Sequence, residues 1–326
     1  MNKLKILGIG NALVDIIVLA EDDQIINNLN LPKGGMTLVD NDLSTRIQRE
    51  ISHLKIKIAT GGSVANAING IAVLDVECGF VGSIGNDDLG SIFKNDMLKR
   101  GISVMLKELE LPTGRAVGFV SPGGERTFAT YLGAAVEMGP LDITPELFSG
   151  YDLFFIEGYL VFNNALIMAA ASAAKSEGLV IALDLASFNV VETNKNILNE
   201  LVDNYVDIIF ANEEEAKSFT GLKPEAALEN LAQRCDIAVV KMGKEGAFVQ
   251  HGTKKWHIPA VNISVIDTTG AGDFFAAGFL AGLASGYDLA KCGKIGSLLA
   301  GEVIQVVGAE LEESRWEAIK KQLELL

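Results

Sequence analysis

The chain has 326 residues, enough for about two domains or one large one. Hydrophobic residues make up 49% and charged residues 21%, which excludes a disordered chain. A net charge of −15 would repel a phosphate backbone, so nucleic acid is excluded as the main partner, whereas a small anion can still bind where local backbone dipoles overcome the field.

The opening MNKLKILGIG lacks the apolar core and cleavage site of a signal peptide, which points to a cytoplasmic protein. A strand is expected at 4–9, then a Gly-Asn turn and a second strand at 13–19. Strand-like pieces recur at 36–39, 115–120 and 127–131, and the last two flank SPGGE (121–125), a good hairpin turn. These pieces read as a small β-element, roughly 12–40 and 113–133, inserted into a single domain of residues 1–326. From about residue 55, short apolar runs alternate with helical patterns. Strand 56–59 precedes helix 64–74, 76–82 precedes 88–100, and 152–157 precedes 163–176. Then 179–184 precedes 194–204, 206–210 precedes 213–219, and 237–241 precedes 271–285 and 288–305. Such alternation implies βαβ units and an α/β fold, a mainly parallel sheet covered by helices on both faces. The longest uncharged run, 158–174, is too short and too polar to span a membrane. Cys78, Cys235 and Cys292 are odd in number and far apart, so no disulfide framework or zinc cluster is expected.

In open α/β sheets ligands bind beyond the carboxyl ends of the strands, so the residues there carry the functional reading. After strand 4–9 comes GNALVD (10–15), where Asn11 and Asp15 offer donors and acceptors suited to sugar hydroxyls. The plainer alternative is a turn residue and a solvated charge. Gly8 and Gly10 suggest a dinucleotide fingerprint, but its third glycine would fall on Leu13 and no helix follows. After 56–59 comes TGGSVANAING (60–70), whose Gly61 and Gly62 admit a ligand to the backbone, with Ser63 beside them and Asn66 in the first helical turns. The run 152–157 closes on Glu157. Asn212 with Glu215 three residues on is a capping box; its functional reading is water held around a phosphate-bound Mg²⁺.

The sharpest signal is DTTGAGD (267–273). A strand-like run, VNISVI (261–266), leads into Asp267, and an apolar helix follows Asp273. Backbone N–H groups of Gly270, Ala271, Gly272 and Asp273 at a helix start converge on an anion. A carboxylate there would repel phosphate, but it makes sense as a general base beside an attacking hydroxyl. No Gly-Lys-Ser/Thr follows, so this is not a Walker loop.

Together these residues resemble the ribokinase family, the PfkB carbohydrate kinases. The likeness runs in order along nearly the whole chain: GG-x-x-x-N at 61–66, G-x-x-G-x-D-x-x-G at 82–90, N-x-x-E at 212–215, KMGKEGA at 241–247 and DTTGAGD at 267–273. It implies a three-layer α/β/α ribokinase-like fold with a small β-sheet lid over the substrate, and an ATP- and Mg²⁺-dependent kinase. Asp273 would be the base and the 270–273 backbone the anion hole. Asn212 and Glu215 would serve Mg²⁺, through water, and the phosphates. The loop opened by Lys241, with Gly243 and Gly246, would hold the nucleotide together with the helix around Ser297 and Ala300. Asp267 and Thr269 would border a monovalent cation such as K⁺, which some members have. The spacing of Asn11 and Asp15, with the blocks at 124–135, 156–160 and 184–192, resembles the adenosine-kinase branch. By that likeness Asp15 binds ribose hydroxyls, Gly61, Gly62, Ser63 and Asn66 line the sugar pocket, Glu157 closes it and Arg126 reaches the phosphates. The substrate implied is the 5′-hydroxyl of adenosine, with a free sugar as the alternative. A sugar phosphate is disfavoured, because only Arg115 and Arg126 stand out on the expected lid. The resemblance permits a homodimer through the lid.

Overall fold

In the computed structural model the described residues are 3–20, 22–121 and 126–325. The chain runs through β1 (Ile6–Ile9), β2 (Leu13–Leu19), α1 (Gln24–Asn28), β3 (Met36–Leu38), α2 (Asn41–Ile51), β4 (Ile56–Gly61) and α3 (Ser63–Val73). Next come β5 (Cys78–Gly85), α4 (Asp88–Lys99), β6 (Ser103–Leu109), β7 (Gly114–Val120) and β8 (Arg126–Tyr131). The second half holds β9 (Leu153–Glu157), α5 (Asn164–Ser176), β10 (Val180–Asp184), α6 (Phe188–Thr193), α7 (Lys195–Asn204), β11 (Ile208–Asn212), α8 (Glu213–Thr220) and α9 (Pro224–Leu231). It ends with β12 (Ile237–Lys241), β13 (Ala247–His251), β14 (Lys254–Ile258), α10 (Ala271–Ala284), α11 (Leu289–Val303) and α12 (Glu313–Leu323).

Nine strands form the main sheet in the order β14-β13-β12-β11-β10-β9-β1-β5-β6. All neighbours from β12 to β6 pair in parallel, and β13 and β14 close one edge as an antiparallel hairpin. Side chains alternate across a strand, so neighbours such as Ile6 and Leu7 fall into two separate apolar clusters. One cluster joins Ile6, Phe80 and Phe210 to α3, α10 and α11 through Ile68, Phe279 and Leu299. The other joins Leu7, Ile156 and Ile209 to α5, α7 and α9 through Ala170, Leu201 and Leu228. The result is the three-layer α/β/α arrangement read from the alternation of elements. Helix α10 is apolar around nearly its whole circumference because it is enclosed by α3, α11 and the sheet. Its buried position fixes the direction in which its N-terminus points.

Five strands form a second, smaller sheet in the order β3-β8-β7-β2-β4. Two expectations need correction here. The run 56–59 was expected in the main sheet, but β4 pairs antiparallel with β2, with Asp15 opposite Ala59 and Leu13 opposite Gly61. The lid limits of 12–40 and 113–133 therefore omit a strand. Alternation of Lys55 and Lys57 with half-exposed Ile56 and Ile58 marks an uncovered strand, which the helix that follows it disguises. The segment 261–266 forms no strand; Val265 and Ile266 are 59% and 62% exposed, and the Ile266 N–H bonds the Ile304 carbonyl. The flanks of the expected hairpin at SPGGE do pair, Val120 with Arg126, while residues 122–125 lie outside those described. Among the described residues no helix is long and apolar enough to cross a membrane.

Candidate active site

Strands β1, β9, β10, β11 and β12 lie side by side and deliver Asn11, Glu157, Asp184, Asn212 and Lys241 to one edge of the main sheet. Glu157 pairs with Asp184 and Asn212 with Lys241 in the strand register. The N-terminus of α10 and the first turns of α3 close over this edge.

Asp273 stands in the first turn of α10. Ser63 Oγ donates to its Oδ1 at 2.7 Å and Asn66 Nδ2 to its Oδ2 at 2.9 Å. Burial pushes its pKa up to about 6, while the hydrogen bonds from Asn66 and Ser63 and the charge of Lys241 oppose that rise. The group is thus largely ionised at neutral pH yet able to take a proton, which suits a general base. Gly62, at φ 98°, starts α3, and a Cβ there would lie 2.2 Å from the Asn11 carbonyl oxygen. Only glycine allows the two loops to approach so closely.

Gly270 caps α10 in the left-handed region, at φ 76°. The N–H of Ala271 bonds the Thr268 carbonyl at 3.2 Å and that of Phe274 bonds Gly270 at 2.8 Å. Among the described residues the N–H groups of Gly270, Gly272 and Asp273 have no acceptor, so they are the part of the expected 270–273 hole that is open to an anion. Beside them lies the Lys241 ammonium, 3.0 Å from where a Cβ on Gly272 would sit. Its Nζ donates to Asp184 Oδ2 at 2.8 Å, and the pair is nearly buried. Asp184 opens the block 184–192, for which the resemblance gives no residue a role; the signal for it is its place at the end of the apolar run LVIALD.

On the opposite wall Asn11 Nδ2 donates to Glu157 Oε1 at 2.6 Å and the Val64 N–H to Glu157 Oε2 at 3.2 Å. Burial lifts the Glu157 carboxyl to about 7 against those hydrogen bonds. Asn11 Oδ1 is buried without a hydrogen-bond partner. An orphaned acceptor at a cleft is a place for a ligand's donor. Asp15 is pushed up to about 7, first by burial and next by the charge of Asp273. A Cβ on Gly61 would lie 2.3 Å from Asp15 Oδ1, so this glycine makes room for the carboxylate.

The Asn212–Glu215 capping box is formed. Asn212 Oδ1 accepts from the Glu214 and Glu215 N–H groups at 2.9 Å each, and Glu215 accepts from the Asn212 N–H at 2.8 Å and Nδ2 at 2.5 Å. Burial raises Glu215 to about 7, with the Lys241 charge opposing. Among the described residues no group of three or more carboxylate, histidine or cysteine side chains could hold a metal directly. The oxygen donors Asp184, Asn212 and Glu215 beside a lysine fit Mg²⁺ that arrives on phosphates and keeps its waters. Gly243 and Gly246 lie further out, and a Cβ on Gly246 would meet the Ile258 carbonyl oxygen at 1.9 Å. Ser297 Oγ donates to the Pro259 carbonyl at 2.8 Å, so loop and helix both pack on residues 258–259. Ala300, one turn on, is half-buried against the same core.

Two expected roles differ from what the structure presents. Asp267 Oδ1 accepts from the Thr269 N–H at 3.1 Å and Oγ at 2.8 Å and its Oδ2 from the Gly308 N–H at 2.8 Å, while Arg126 Nη1 forms an ion pair with Oδ2 at 2.6 Å. A carboxylate so filled, with a guanidinium already on it, does not fit a monovalent cation. Arg126, which the resemblance sends to the phosphates, is held by Asp267 and by Thr269 Oγ, at 3.1 Å. A cavity of about 400 Å³ opens beside this contact, between Gly34 in the turn before β3, Met36 and Phe128 of the small sheet, and residues 265–269. The motif at 82–90 is structural: Asp87 accepts from the Gly90 and Thr113 N–H groups at 2.8 and 2.9 Å, tying α4 to the start of β7. Arg115 is buried too, with Ser44 at 2.8 Å and the Tyr131 ring 5.0 Å away.

The pfkB family carbohydrate kinases match residues 36–315 of this chain. The chain is 31% identical to an adenosine kinase of Saccharomyces cerevisiae, over 92% of this chain and 94% of that one. Among solved structures it is similar to the adenosine kinase from Sinorhizobium meliloti, at 36% identity and TM-score 0.87 over 98% and 99% of the two chains. It is also similar to a probable sugar kinase protein from Rhizobium etli CFN 42, at 35% identity and TM-score 0.87 over 99% of both. With a match of that extent, and a buried carboxylate seated at the open start of a helix where the family signature falls, the chain belongs to the pfkB family of carbohydrate kinases and is a sugar or nucleoside kinase.

Proposed function

We propose that this kinase transfers the γ-phosphoryl group of ATP to the 5′-hydroxyl of adenosine. The observation that carries the reading is the run Gly61-Gly62-Ser63, which meets Asp15 Oδ1 at Gly61, the Asn11 carbonyl at Gly62 and Asp273 at Ser63, with Asn11 Oδ1 left without a partner. Ring hydroxyls of a ribose donate to Asp15 and Asn11, which leaves the primary hydroxyl at Asp273. Asp273 takes the hydroxyl proton, the oxygen forms a bond to the γ-phosphorus, and the bridging oxygen leaves with ADP. Ser63 and Asn66 hold the carboxylate in place and ionised. The Gly272 and Asp273 N–H groups and the Lys241 ammonium face the charge on the transferring group; one such donor is worth about 2.7–4 kcal/mol at other sites. Mg²⁺, when bound with the nucleotide, neutralises phosphate charge beside Asn212 and Glu215. Such catalysis is mainly positioning and charge stabilisation. The relatives named above as adenosine kinases support the choice of nucleoside.

The test is ADP production with ATP and Mg²⁺ against adenosine, other nucleosides, ribose, fructose and sugar acids. Turnover of adenosine well above the rest is the expected result. Preference for a free sugar would keep the chemistry and overturn the substrate, in line with the likeness to a probable sugar kinase.

A further inference from the structure

We propose that Arg126 takes the place of a monovalent cation in this chain: it neutralises Asp267, fixes the turn that presents the anion hole, and makes phosphoryl transfer independent of K⁺. Asp267 is 7% exposed, and a carboxylate so buried needs a positive partner. Among the described residues its partners are the Thr269 N–H and hydroxyl on one oxygen and the Gly308 N–H and the Arg126 guanidinium on the other. A cation touching the same carboxylate would face the guanidinium across a poorly screened site. The guanidinium also does what an ion cannot. Its Nη1 reaches both Asp267 Oδ2 and Thr269 Oγ, and so sets the Thr269 hydroxyl to donate to Asp267.

The contact leads to the hole through two short steps. Asp267 holds the Gly308 N–H, and the next residue, Ala309, has its Cβ 2.8 Å from where a Cβ on Gly270 would lie. Gly270 caps α10 and, with Gly272 and Asp273, carries the open N–H groups. Arg126 is the first residue of β8, so an ion pair anchored on the small sheet sets the segment that shapes the hole. Arg126 is in this sense a positioning residue that ties the small sheet to the phosphate site.

The inference rests on phosphoryl transfer by the family, not on which acceptor is used. The test uses the full chain with Mg·ATP and whichever acceptor of the panel turns over fastest, so a wrong nucleoside would show in the panel and leave this comparison intact. Rates and melting temperatures are measured in potassium chloride and in tetramethylammonium chloride at equal ionic strength. Wild type is expected to differ by less than about twofold in rate and to melt at the same temperature in both salts. Arg126→Ala is expected to lose about a hundredfold in tetramethylammonium, to regain about tenfold in K⁺, and to gain a K⁺-specific rise in melting temperature. Arg126→Lys is expected to stay indifferent to K⁺. Activation of wild type by K⁺, or equal rescue of Arg126→Ala by both salts, would overturn the proposal. If Arg126→Ala does not fold, the wild-type comparison decides by itself, and its melting arm needs no acceptor at all.

Discussion

Asn66 and Asp273 are 207 positions apart and meet at 2.9 Å, the amide of one helix start donating to the carboxylate of another. Asn66 and Ser63 lower the affinity of Asp273 for a proton, and burial raises it to about 6. A base must be unprotonated to act, so kcat/KM should fall on the acid side with a limb near pH 6. Removing either donor raises the Asp273 pKa, so Asn66→Ala and Ser63→Ala should move that limb toward neutral pH. Asp273→Asn should lower the rate by about 10²–10⁴-fold, the usual worth of a positioned base. A pH–rate profile for each variant checks this; a limb that stays in place would put the proton acceptor elsewhere.

Gly61→Ala would bring a Cβ to 2.3 Å from Asp15 Oδ1, and the carboxylate must turn away. Asp15 is proposed to bind ring hydroxyls, not the reacting one. The expected outcome is a KM for the acceptor raised about tenfold or more, about 1.4 kcal/mol of binding, with the KM for ATP little changed. Steady-state kinetics with each substrate varied in turn reads the split.

Most of the site is legible in the sequence because its residues sit where strands end, and strand ends can be found from apolar runs. Glu157, Asn212 and Lys241 are of that kind, and Asp184 could have been added by applying the same rule to LVIALD. The strand β4 is harder. Ile56, Ile58 and the helix after them form a local strand-then-helix pattern, and only the pairing with β2 across some forty residues puts them in the small sheet. The role of Arg126 is not legible at all. Its partner Asp267 is 141 positions away, and no spacing rule connects a hairpin strand to the loop before α10.

Glu157 gives a test of the buried wall through stability. Its carboxyl is raised from 4.5 to about 7 in the folded chain. Between those values the folded state holds a proton that the unfolded state has released. The stabilisation is therefore full below about pH 4.5 and lost as pH rises through 7. Asp15 and Glu215, both raised to about 7, act in the same direction. The ligand-free chain should thus be more stable at pH 5 than at pH 8, by about 1–3 kcal/mol for each such group. Glu157→Gln cannot ionise and should flatten part of that slope. Urea unfolding across pH 5–8 measures it, and a wild-type chain that gains stability toward pH 8 would contradict the assignment.

The Lys241–Asp184 pair separates structure from chemistry. Both side chains are nearly buried, and their contact is 2.8 Å. Lys241→Met leaves Asp184 charged and unpaired, a change that typically costs about 3–5 kcal/mol. Replacing both, Lys241→Met with Asp184→Leu, removes the unpaired charge and should recover most of that stability. It should not recover the rate, because the ammonium beside Gly272 is gone and the phosphoryl group loses a positive neighbour. The acid limb should also rise in Lys241→Met, since the ammonium lowers the pKa of Asp273. Chemical unfolding and kcat measured on the same three proteins make the comparison. A double variant that regains both stability and full turnover would show that Lys241 only balances Asp184 and takes no part in the transfer.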